Sequence, residues 1–141
     1  MSEQPETRRA ARRWLRWATE DVALGEHNFS NESLVARGAC VWAHQAGEKA
    51  LKALLVAHDI DPPKRHDLDL LSGLLPGDDA ALFASLALPE LSRWAIEGRY
   101  PDDFDEATRA QATLAIELAR TIVGIVERRL EEMFGEQDRD E

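Results

Sequence analysis

WAHQAGEKALKALL, residues 42–55, is the stretch whose periodicity decides the fold. Successive residues of an α-helix are offset by about 100° around its axis. On that wheel Arg37, Val41, His44, Gln45, Glu48 and Lys52 share one side. Ala39, Ala43, Ala46, Ala50, Ala53, Leu54 and Ala57 share the other. The apolar side is nearly all alanine, which lets a neighbouring helix approach closely. The polar side carries an imidazole, an amide, an acid and a base within about three turns, ~16 Å of helix.

Working outward, each flanking segment also reads as helix. Residues 6–28 form the first, with Pro5 where a helix can start. Its apolar positions Trp14, Ala18 and Val22, with Ala11 and Leu15 beside them, keep helical spacing. Residues 29–32 read as a turn, and Asn31 or Ser33 is the expected cap of a second helix over 33–58. Pro62 and Pro63 close that helix, within a loop over 59–65. A short helix is expected over 67–75, ended by Pro76 and Gly77. Residues 78–97 read as one kinked helix or two short ones, interrupted at Pro89, and 98–105 as a loop. A long last helix is expected over 105–134, with Leu114, Leu118, Ile122, Ile125 and Leu130 turned inward. No strand and no repeat stands out. Long helices joined by short connections predict an all-α antiparallel bundle of four to five helices, with the second and last helices at its centre. The expected domain is a single unit over residues 1–134, followed by an acidic, disordered tail over 135–141.

Composition narrows the function classes. The chain has 141 residues, 44% hydrophobic and 31% charged, which suits one globular domain with its own core. The net charge of −10 disfavours nucleic-acid binding driven by overall charge, but leaves room for a local basic site. Cys40 is the lone cysteine, so an intramolecular disulfide and a cysteine-cluster zinc site are excluded. His27, His44, His58 and His66 lack ligand spacing, and there is no glycine-rich phosphate loop. No metal and no cofactor is expected. No apolar run approaches the roughly 18 to 20 residues that span a bilayer. The arginine-rich N-terminus has no apolar signal core. The expected compartment is the cytoplasm.

Several residues carry possible chemistry. Arg37 and His44 lie seven apart, hence on one face, with Cα atoms about 10.5 Å apart. Such a pair could cleave RNA, the histidine moving the 2′-hydroxyl proton and the arginine stabilising the phosphate. The plainer reading of the pair is a solvated face or a dimer contact. Glu48 and Lys52 form an i,i+4 pair in the favoured order, so they either stabilise the helix or line a polar cleft with Lys49. His66 precedes Asp67 at a helix start and reads as a local cap or as a ligand contact. Arg99 and Tyr100 follow Gly98 on a loop, where a guanidinium suits phosphate and a phenol ring suits stacking, or where both simply pack. Arg8, Arg9, Arg12, Arg13 and Arg16, with Trp14 and Trp17 among them, form a basic patch. It could meet RNA phosphates, but pairing with Glu131, Glu132, Glu136 and Asp138 is the favoured reading in so acidic a chain.

Three segments taken together carry a resemblance. Gln45-Ala46-Gly47-Glu48-Lys49-Ala50-Leu51-Lys52-Ala53, His66-Asp67-Leu68 and Arg99-Tyr100-Pro101 stand in the order and spacing of the HEPN family, the higher-eukaryote and prokaryote nucleotide-binding domains. Trp14, Ala18, Asp21 and Leu24 resemble that family's first helix. The chain has His44 where the family often has glutamine, and Gly47 where it often has alanine. The resemblance implies a helical bundle that commonly dimerises and works on nucleotides or RNA, often beside a small nucleotidyltransferase in toxin–antitoxin pairs. Ribonuclease members carry an arginine, four to six residues and a histidine near the start of a late helix. No histidine follows His66 here. The expected function is therefore a binding module with a ligand site at Glu48, Lys49, Lys52, His66, Arg99 and Tyr100. The alternatives are a metal-independent ribonuclease toxin using Arg37 and His44, and a purely structural helical dimer. The stripe Arg37, Val41, His44, Glu48 and Leu55 is the expected two-fold interface.

Overall fold

The computed structural model describes residues 5–96 and 106–139. Among these, six α-helices and no strand are present: α1 (Pro5–Ser30), α2 (Ala36–Ala57), α3 (Leu68–Gly73), α4 (Gly77–Ala80), α5 (Leu88–Ser92) and α6 (Arg109–Arg139). The fold is the expected all-α bundle. A 3-10 turn, Ala81–Phe83, follows α4, so the segment before the 98–105 loop is three short pieces rather than one kinked helix or two. The Arg99-Tyr100-Pro101 motif and its loop lie outside the described residues.

Helix α2 is the axis of the molecule. Lys49 meets Asp21, and Lys52 meets Trp14, so α1 runs antiparallel to α2. Arg12 pairs with Glu131, and Arg109 donates to the Phe29 carbonyl, so α6 also runs antiparallel to α1. The alanine face does what its composition predicts. Ala39, Ala43, Ala46, Ala50 and Ala53 are buried, and so are Ala11, Ala18 and Gly25 of α1. A Cβ on Gly25 would stand 3.4 Å from the Ala39 carbonyl oxygen, which is the close approach that small residues allow. On the far side, Gly47 marks where three elements converge. A Cβ there would lie 3.1 Å from Leu68, 3.2 Å from Leu91 and 3.3 Å from Ile122.

Burial of α2 overturns one expectation outright. His44 and Leu55 are 0% exposed and Glu48 is 6% exposed. The stripe assigned to a two-fold interface is thus internal, apart from half-buried Val41 and exposed Arg37. A central helix walled by α1, α3, α5 and α6 has no free face along its middle turns, so its polar residues must find partners inside the chain. The inner face of α6 is also rotated from the expected one. Ala112, Ala115, Ile116, Ala119, Ile122, Val123, Val126, Leu130 and Phe134 are buried, whereas Leu114 is 65% exposed and Leu118 and Ile125 are only half-buried. The buried face mixes small and large side chains, Ala112, Ala115 and Ala119 with Ile116, Ile122, Leu130 and Phe134, and Ile122 reaches Gly47 of α2.

The helix ends have physical causes. At the end of α2 the Ile60 N–H bonds the Leu55 carbonyl and the Asp59 N–H bonds that of Val56, both at 2.9 Å. Asp59 has φ 58°, so this is a Schellman stop three residues before Pro62. At the start of α6, Thr108 and Gln111 exchange side-chain and backbone hydrogen bonds of 2.9 and 3.0 Å. That capping box moves the start from 105 to 109. The expected cap of α2 is absent: Asn31 Oδ1 instead accepts from the Ser33 N–H and hydroxyl. Helix α6 continues through Gly135 to Arg139, beyond the end expected at 134.

Candidate functional site

The polar side of α2 is folded into a buried network. The Lys52 ammonium donates to Glu48 Oε2 at 2.9 Å, and Glu48 Oε1 accepts from His66 Nδ1 at 2.8 Å. Glu48 and Lys52 are 6% and 7% exposed, so each neutralises the other where water cannot. His44 Nε2 lies 2.8 Å from the His66 carbonyl oxygen. A carbonyl only accepts, so this nitrogen carries the proton and His44 is the neutral Nε2–H tautomer. Its Nδ1 is buried without a partner among the described residues. Burial holds the His44 pKa below the usual imidazole value, against the opposing pull of the His66 carbonyl and Glu48.

Two hydrogen bonds from α2 therefore grip His66, one at its backbone and one at its ring. The ring is 31% exposed. Nδ1 is turned to buried Glu48, and Nε2 has no hydrogen-bond partner among the described residues. A carboxylate-held imidazole of this kind has a defined tautomer and direction, able to accept or donate one proton at a fixed point. The Leu68 N–H, at the start of α3, donates to Ser92 Oγ at 2.8 Å, which ties the segment after His66 to α5. Asp67 makes no side-chain cap; it pairs instead with Arg65 at the surface.

The network extends to α1. Lys52 Nζ stands 5.9 Å from the Trp14 ring centroid, and Trp14 meets the Trp17 ring edge to face at 5.7 Å. Lys49 is held by Asp21 at 2.6 Å, with Asp21 buried.

Of the residues nominated from sequence, Glu48, Lys52, His66 and His44 come together. Only His66 among them offers an accessible group, because Glu48 and Lys52 are consumed in the network. Lys49 sits one turn away on Asp21, Arg37 is exposed at the start of α2, and Arg99 and Tyr100 lie outside the described residues. Cys40 is buried, which pushes its thiol up to about 11 and leaves it a packing residue. A cleft of about 350 Å³ opens elsewhere, between α5 and α6, lined chiefly by Leu91, Trp94, Leu114 and Leu118. It touches none of the nominated residues. Sequence reasoning missed the role of Trp14 as the floor under Lys52. Its only signal was an aromatic on the edge of the α1 stripe nearest the lysines of α2. Among the described residues there is no group of side chains able to hold a metal ion, and no helix long and apolar enough to cross a membrane.

Comparison with known proteins agrees with the sequence motifs. A family model described as HEPN domain matches residues 11–129. A solved structure, TT1696 from Thermus thermophilus, is similar at 31% identity with a TM-score of 0.70, covering 84% of this chain and 96% of that one. No curated protein matches the chain.

Proposed function

The chain belongs to the HEPN domain family, and from that premise we propose that it is a nucleotide- or RNA-associated binding module whose contact group is His66. One observation carries this reading: Glu48 holds the His66 ring at 2.8 Å while 31% of that side chain stays exposed. Burying an acid, a base and a neutral histidine to fix one half-exposed ring is costly for packing alone. Glu48 and Lys52 are positioning residues in this reading, and Arg99 and Tyr100 join His66 as ligand contacts. The module works as a homodimer, through a face other than the buried stripe of α2, and beside a small nucleotidyltransferase of the toxin–antitoxin type.

The ribonuclease reading finds little support in His44. Its ring is 0% exposed, its protonated nitrogen is engaged by a carbonyl, and burial disfavours its charged form. The purely structural reading is favoured by the same two bonds that pin His66 to α2, and it differs in predicting no ligand at all.

Titration with mononucleotides and short RNAs separates these readings. His66→Ala and Arg99→Ala should each weaken binding by roughly 10- to 100-fold, the worth of a charge-assisted hydrogen bond. Binding that is absent, or equal in wild type and both variants, replaces the proposal with the structural reading. RNA cleavage abolished by His44→Ala would reinstate the ribonuclease. Light scattering should return twice the 15.8 kDa chain mass, and a monomer at tens of micromolar would remove the dimer.

A further inference from the structure

Helix α1 turns an unusual face to solvent. Arg9, Arg13 and Arg16 follow i, i+4, i+7 spacing and fall on one stripe about 10 Å long. All three are exposed and make no ion pair among the described residues. Asp21 and Glu131 pair with Lys49 and Arg12; Glu6 and Glu20, three residues before Arg9 and four after Arg16, are exposed on the same stripe and make no ion pair among the described residues. Pairing with the end of α6, favoured from sequence, is present for Arg12 with Glu131; the side chains of Glu136 and Asp138 lie outside the described residues. Glu20 bounds it at the C-terminal end. Three exposed guanidinium groups without an ion pair among the described residues stand out on a chain of net charge −10.

Beside them lies Trp17, 41% exposed. Its ring is braced at 5.7 Å and 75° by Trp14, which in turn lies under Lys52. An exposed indole held in one orientation is a stacking surface, and adjoining cations suit the phosphates on either side of a stacked base. The contacts from His66 through Glu48, Lys52 and Trp14 to Trp17 are continuous. The stripe and His66 therefore flank one buried network.

We propose that Arg9, Arg13, Arg16 and Trp17 form a track for a single-stranded polynucleotide, one base stacked on Trp17 and its phosphates on the arginines, with the strand laid toward His66. This rests on the nucleotide- or RNA-associated reading above and adds to it the α1 surface that carries the strand. A stripe of ~10 Å spans about three nucleotides at 3.4 Å each. A duplex does not fit the role of Trp17, because its bases are already stacked on each other. The surrounding negative charge repels any strand not held by the stripe, so binding is confined to it and falls steeply with salt.

The test is fluorescence anisotropy with labelled 12-mers of oligo-U and oligo-dT between 50 and 200 mM salt, beside mononucleotide titration. The proteins are wild type, Arg13→Gln/Arg16→Gln, Trp17→Ala, Trp17→Phe and His66→Ala. All these side chains are at least partly exposed, and thermal melting checks that each variant is folded. Three phosphate contacts give a slope of log affinity against log salt of about −2, falling to about −0.7 in the double arginine variant. Trp17→Ala should weaken oligomer binding by about 5- to 100-fold, with Trp17→Phe retaining most of it. Stronger binding of oligo-U than oligo-dT identifies RNA as the strand; equal binding identifies any single strand. The track is overturned if oligomers do not bind, if the variants bind as wild type does, or if polyglutamate competes as well as oligonucleotide, which makes the stripe a dock for acidic proteins. Mononucleotide binding that depends on His66 while the α1 variants change nothing removes the track and leaves the His66 site. Oligomer binding lost in the α1 variants but kept in His66→Ala supports the track and removes the His66 assignment.

Discussion

At the scale of single residues, His44 and Glu48 set the electrostatics of the core. His44 is neutral and its pKa is held down by burial. The unfolded chain, with an ordinary imidazole near 6.5, binds a proton that the folded chain refuses. Stability is therefore complete above that value and declines as pH falls below it, by up to about 1.4 kcal/mol per pH unit for one proton. Denaturant unfolding at pH 7 and pH 5 reads this directly. His44→Asn keeps a donor for the His66 carbonyl and should flatten the decline; an unchanged decline would assign it to another group. Glu48 accepts from both the Lys52 ammonium and the His66 ring. Glu48→Ala strands a buried ammonium and should cost about 3 to 5 kcal/mol. A loss below ~1 kcal/mol would mean the pair relaxes into water.

At the scale of elements, the rotation of α6 has a measurable consequence. Leu130 is fully buried, and Leu130→Ala should cost about 2 to 5 kcal/mol. Leu118 is half-buried at the edge of the α5–α6 cleft, so Leu118→Ala should cost no more than about 1 kcal/mol, having little cavity to leave behind. Equal losses in urea unfolding would return the inner face to the leucine stripe. Element types were legible from the spacing of Trp14, Ala18 and Val22 and from the alanines of α2. The start of α6 is also written in the sequence: Thr108-Arg109-Ala110-Gln111 is a capping-box pattern, and it outranks Asp105 as the first residue of the helix. The stop of α2 was legible to within a residue from Pro62 and Pro63, but its form was not, because it depends on non-glycine Asp59 adopting φ 58°, which pattern reading gives to glycine.

At the scale of the molecule, one buried carboxylate links the far end of the bundle. Asp79 on α4 accepts from Arg129 Nε of α6 at 2.7 Å and bonds His58 at the end of α2. Burial alone would raise its pKa, but the bonds from Arg129 and His58 outweigh burial and hold it below the ordinary 3.8. A depressed carboxylate contributes stability above its unfolded pKa and loses it as pH falls through the folded one. A second acid decline, below about pH 4 and separate from that of His44, is expected. Asp79→Asn should remove it and cost about 1 to 3 kcal/mol at pH 7. An acid titration of unfolding that still bends below pH 4 in this variant would refute the assignment.

The sequence by itself determined the helical class, the close packing of an alanine face and the family motifs. These follow from local rules, since helical period, side-chain size and motif spacing need no knowledge of neighbours. Only the tertiary structure decided that the polar side of α2 is interior. A helical wheel separates faces but cannot say how many are covered, and most of α2, including His44, Glu48 and Lys52, is covered. That burial turned His44 of the expected dimer stripe and Glu48 and Lys52 of the expected cleft into a buried network. It left His66, contributed by the connection to α3, as the group that meets solvent. The rotation of α6, which turns Ala112, Ala115 and Ala119 inward together with Ile122 and Leu130 and leaves Leu114 outside, was likewise a matter of fit between packed helices.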